Sequence, residues 1–74
     1  MKIEQLRKSI EQLRTYPQKI VGGNVFFIKN KYCFLVIGRN HLGIATIINS
    51  YGDWSDEEKE SACIIYYETD ASKF

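Results

Sequence analysis

Val25-Phe26-Phe27-Ile28, the polar connection Lys29-Asn30 and the run Tyr32-Cys33-Phe34-Leu35-Val36-Ile37 decide how this chain folds. Two blocks of β-branched and aromatic residues joined by a short polar link read as adjacent antiparallel strands. Working outward, Gly38-Arg39-Asn40 makes a second short connection, and Leu42 to Asn49 reads as a third strand completing a meander. Ala62 to Tyr67 has the same composition and is expected to be a fourth strand. On the other side, Gly22-Gly23-Asn24 separates Ile20-Val21 from Val25, marking either a turn or a bulge in one long first strand.

Before Pro17 the period changes. Ile3-Glu4-Gln5-Leu6-Arg7 returns seven residues later as Ile10-Glu11-Gln12-Leu13-Arg14, which places Ile3, Leu6, Ile10 and Leu13 on one stripe of a helix. Glu4 and Lys8 form a supporting pair one turn apart. Pro17 biases Tyr16 away from the helical region, so the helix should end near Arg14 or Thr15. Two heptads are too few for a free-standing coiled coil, so this helix is expected either to lie on its own sheet or to be shared with another chain.

The link before the last expected strand holds Tyr51-Gly52-Asp53-Trp54 and then Ser55-Asp56-Glu57-Glu58, whose first and last members match a capping box. That predicts a short helical turn. The expected architecture is therefore α+β: an N-terminal amphipathic helix packed on a four-stranded, mainly antiparallel meander, with a short helical turn before the last strand. The 74 residues are read as one domain, with the helix over about 2–14, the sheet over about 19–68 and a frayed tail over 69–74.

A sheet with one wet face alternates apolar and polar residues along each strand. Phe26-Phe27-Ile28, Cys33 to Ile37, Ile47-Ile48 and Cys63 to Tyr67 do not alternate, so both faces of this sheet want cover. One helix about 10 Å wide cannot shield a sheet whose four strands spread over roughly 19 Å. Self-association is the expected answer, the alternative being a monomer whose sheet curls strongly around the helix.

Composition narrows the rest. Ten Lys and Arg against nine Asp and Glu leave a formal charge of +1, so no long-range field draws the protein to nucleic acid or to a membrane surface. No apolar stretch approaches the roughly 20 residues of a membrane-spanning helix. Cys33 and Cys63 lack the spacing of a zinc or redox pair and read as cytosolic thiols, with His41 too isolated to complete a metal site with them. Gly22-Gly23-Asn24 lacks the lysine and helix of a phosphate loop. No catalytic set, cofactor or metal is expected, and the localisation is read as cytoplasmic.

Three binding surfaces can be named in advance. Trp54 with Asp53, Asp56, Glu57 and Tyr51 would suit docking onto a basic site of a protein partner, the tryptophan as anchor and the acids as steering charges; the other reading of Trp54 is closure of an open end of the core. Lys29, Lys31, Tyr32 and Arg39 could hold single-stranded nucleic acid by stacking and phosphate neutralisation, although the neighbouring acids oppose it. Tyr51, Trp54, Tyr66, Tyr67 and Arg39 could line a pocket between subunits for a small ligand such as a nucleotide, and His41 is counted with this alternative surface. The favoured expectation is a non-catalytic homo-oligomer that binds and modulates a macromolecular partner. Its composition is reminiscent of inhibitors encoded by phages and mobile elements that act on host or defence proteins.

Overall fold

A computed structural model describes residues 3–69. The order of elements is α1 (Ile3–Arg14), β1 (Gln18–Val21), β2 (Asn24–Asn30), β3 (Cys33–Arg39), β4 (Ala45–Tyr51) and α2 (Asp56–Glu68). The strands form one antiparallel meander in the order β1-β2-β3-β4. The class, the N-terminal helix and the four-stranded antiparallel sheet are those expected. The identity of the fourth strand is not.

Ala62 to Tyr67 is helical, and Gln18–Val21 supplies the missing strand. Ser55 accepts from the Glu58 amide and the Glu58 carboxylate accepts from the Ser55 amide, so the capping box starts a helix of 13 residues rather than a single turn. The β-branched pair Ile64-Ile65 favours a strand locally. Burial of Ser61, Ala62, Ile65 and Tyr66 at helical spacing on one side of α2 outweighs that preference.

Gly22 and Gly23 form a true turn and not a bulge. Their φ values of 58° and 82° are the pair of positive angles that a two-residue hairpin link between Val21 and Asn24 requires. The third strand starts later than expected because Asn40 builds a longer connection, accepting the amides of Leu42 and Ile44 on its side-chain oxygen. α1 ends as Pro17 demands, with Tyr16 N–H donating to Leu13 O and the Thr15 hydroxyl to Gln12 O.

α2 lies over β3 and β4, and α1 packs beside it. Leu13 of α1 therefore joins Val25, Phe27, Leu35, Ile37, Ala62, Ile65 and Tyr66 in one core, with Ile10 packed against it. The side chains of Ile3 and Leu6, the outer half of the expected stripe, and the tail 70–74 lie outside what is described. The helices cover the middle of one face, while β1 at its edge stays exposed, with Ile20 on the helix side 40% exposed. The shortest dimension of the molecule, 18 Å, leaves room for one helical layer on one sheet layer and no third. Among the described residues, no helix is long and apolar enough to cross a membrane.

Candidate functional site

Successive turns of a meander fall at opposite ends of the sheet. The β2–β3 turn and the loop between β4 and α2 share one end, while the β1–β2 turn and the β3–β4 connection share the other. This separates residues that the sequence reading had grouped. Lys29, Lys31 and Tyr32 stand at the first end with Tyr51 and Trp54; Arg39, His41, Tyr66 and Tyr67 stand at the second. Seven residues of strand put the two sets about 20 Å apart within one copy.

At the first end, Trp54 turns inward and is only 8% exposed. Its Nε1 donates to Tyr51 O at 3.0 Å, and the Tyr16 ring meets it edge-on at 6.1 Å. Lys29 Nζ sits 4.7 Å above the indole, donates to Asp53 O at 2.7 Å and pairs with Glu58 at 3.1 Å. The Tyr16 hydroxyl donates to Glu58 as well. Burial works against the charge on Glu58, but the Ser55 amide and the Lys29 ammonium outweigh it and hold the carboxyl below its ordinary range. Burial, and then that same carboxylate, push the Tyr16 phenol up.

The loop is fixed from below as well. Gly52 has φ of 84°, and a Cβ there would run into the Cys33 sulfur and the Tyr32 carbonyl. The indole thus braces the loop from within. Tyr51 (55%) and Tyr32 (73%) are well exposed, Asp53 and Asp56 face solvent, and Glu57 is half-buried. Beside this rim an open cleft of about 430 Å³ runs between the helices and β2, lined among others by Lys8, Gln12, Tyr16, Lys29, Glu57 and Glu58.

The second end is held by tyrosines. Tyr66, buried in the core, donates its hydroxyl proton to Gly23 O at 3.3 Å and accepts from Arg39 Nε at 3.2 Å, tying the end of α2 to the β1–β2 turn. The Tyr67 hydroxyl accepts from the Ala45 amide at 2.8 Å on the outer edge of β4. His41 is exposed in the connection. Arg39 and Tyr66 are therefore occupied in holding the fold together.

The third region is the sheet face turned away from the helices. Cross-strand pairs Phe26↔Val36 and Ile28↔Phe34 lie on it, and Phe34 stacks on Tyr51 with ring centroids 4.4 Å apart. Val36 is 3% exposed yet stands apart from the helix-side core, so it is buried by its neighbours on this face. Ile48 occupies a bulge in β4, and its side chain fills the space above Gly38. No described element covers these side chains. The sequence reading had flagged them through their lack of alternation, but had not named them as a surface.

Cys33 and Cys63 are free, half-buried thiols; burial and then Glu60 raise the pKa of Cys63. No cluster of potential metal ligands occurs among the described residues. Fold and surfaces together define a class: a two-layer α+β domain, ordered α-β-β-β-β-α, with a meander covered on one face and open on the other. Comparison with protein families, curated proteins and solved structures finds no match to this chain.

Proposed function

We propose that this chain is a small, non-catalytic interaction protein, self-associating, that binds and modulates a macromolecular partner through the rim formed by Tyr51, Asp53, Asp56 and Glu57. The observation that carries this reading is the brace beneath the rim. Trp54, Lys29, Glu58 and Tyr16 lock the loop from the protein side while its acids and tyrosines face solvent. A loop held in this way loses little further entropy on docking, and exposed tyrosines beside acids offer contact area together with steering toward a basic partner.

The cleft beside the rim favours a second reading, sequestration of a small ligand. Its volume is of the right order for one. Lys29, its cation nearest the core, is already paired with Glu58, which leaves Lys8 as the charge to meet an anion.

Native mass spectrometry of the protein purified from its own host tests both. A co-purifying protein that is lost on Asp53→Lys with Asp56→Lys, at unchanged circular dichroism, is the expected result. Both positions are exposed, so the fold should tolerate the change. A bound small mass selects the second reading, and a partner retained at the wild-type level by the charge-reversed protein overturns the rim.

A further inference from the structure

We propose that the cleft between α1, α2 and β2 is a binding site for a small zwitterion of the α-amino-acid class. The inference deepens the small-ligand reading of that cleft and does not depend on the acidic rim.

Four charged side chains line the cleft: Lys8 of α1, Lys29 of β2, and Glu57 and Glu58 of α2. Two of them are committed to the fold. Lys29 Nζ pairs with Glu58, donates to Asp53 O and covers the Trp54 ring, while the Glu58 carboxylate also accepts from the Ser55 amide and the Tyr16 hydroxyl. Lys8 and Glu57 enter no ion pair among the described residues. They belong to different helices, which leaves one uncommitted cation on the α1 wall and one uncommitted anion on the α2 wall. The rest of the lining is uncharged. Ser9 and Gln12 follow Lys8 at helical spacing on the same flank of α1, Ser55 caps α2, and the Tyr16 ring with the alkyl stems of the lysines supplies the apolar part.

The charges choose the ligand. With two cations and two anions in its wall, the cleft gathers neither anions nor cations from a distance. A nucleotide would gain Lys8 but bring its phosphates against Glu57 and Glu58, and a polyamine would meet the reverse conflict at Lys8 and Lys29. A molecule carrying one carboxylate and one ammonium satisfies both uncommitted charges at once, the carboxylate on Lys8 and the ammonium on Glu57. Ser9 and Gln12 are at hand for its remaining hydrogen bonds. A cleft of about 430 Å³ stands near the lower end of the range for ligand sites, which suits a molecule of amino-acid size. The cleft is open, so it buries only part of such a ligand, and the expected dissociation constant is on the order of 0.1–1 millimolar.

Backbone-amide NMR of the full chain, titrated with the common amino acids, reads this directly. At least one of them should give saturable shifts at Ser9, Gln12, Ser55 and Glu57. Two derivatives of that amino acid isolate the charges: the N-acetyl form lacks the ammonium, the carboxamide lacks the carboxylate, and each should bind at least about 10-fold more weakly. Lys8→Gln, at an exposed position, should bring the parent compound down to the level of its carboxamide, and Glu57→Gln should bring it down to that of the N-acetyl form, with the spectrum otherwise native. Derivatives that bind as well as the parent overturn the proposal, as do variants that bind the parent as well as the wild type does. Adenosine monophosphate shifting the same amides while no amino acid does so overturns the zwitterion and leaves the cleft a small-ligand site. No shift by any of these compounds up to about 10 millimolar overturns this inference and the small-ligand reading together, and leaves the rim standing.

Discussion

On β2, Val25 and Phe27 are fully buried under the helices, while Phe26 and Ile28, their neighbours along the chain, face the side with no described cover. The two sets are of one chemical kind, and only the second layer separates them. β3 repeats the contrast, with Leu35 and Ile37 in the helix-side core and Phe34 and Val36 opposite. The comparison teaches that a run of apolar residues specifies a strand wanting burial on both sides, and that whatever covers each side is supplied from elsewhere.

The largest effect should come from truncating the covered face. Phe27→Ala removes a fully buried ring and should cost about 3–5 kcal/mol in urea denaturation, enough to unfold a domain of this size. Phe26→Ala, on the open face and half-buried, should cost clearly less in dilute protein. Equal losses would mean that the outer face is a core in its own right, and the comparison would fall.

A smaller and opposite effect is expected at Ser61, whose fully buried hydroxyl has no hydrogen-bond partner among the described residues. Ser61→Ala removes an unsatisfied polar group from the buried side of α2 and should raise stability by about 1 kcal/mol. A loss of that size instead would show that the hydroxyl is satisfied in solution, and the covered side would be less dry than it looks.

The smallest effect concerns the margin where covered and open regions meet. The folded-state pKa of Glu58 lies below its ordinary value of 4.5, so its carboxylate stabilises the fold at higher pH. That contribution is complete above the ordinary value and fades as pH falls through the lowered one. The thermal midpoint of the wild type should therefore drop toward that of Glu58→Gln as the solution is acidified into this range. A constant gap between the two across the acid range would remove the Lys29–Glu58 pair as a brace for the rim.

Much of this was legible along the chain. Pro17 stopped α1 where expected, Asn30 and Asn40 marked the two later turns, and the non-alternating strands announced two faces in need of cover. Ser55 and Glu58 announced a helix start, yet the length of that helix was misjudged. Ile64-Ile65-Tyr66-Tyr67 carries strand composition, and a short apolar run does not distinguish a buried strand from a buried helix. The site was less legible still. Tyr16, Lys29 and Glu58 are far apart in the chain, and no local pattern tells that their side chains converge on Trp54.

Residue chemistry and spacing were thus enough for the antiparallel meander, the N-terminal helix and the surplus of apolar strand, because turns, caps and periodicity act over a few residues. Three matters needed the third dimension: which strand completes the sheet, whether Trp54 points inward, and which face the helices take. Each turns on groups distant in sequence, such as Tyr66 with Gly23, Lys29 with Trp54 and Leu13 with Phe27. Burial of one helix against one face is a property of the whole packed domain, and it can override the local preference of the residues that take part.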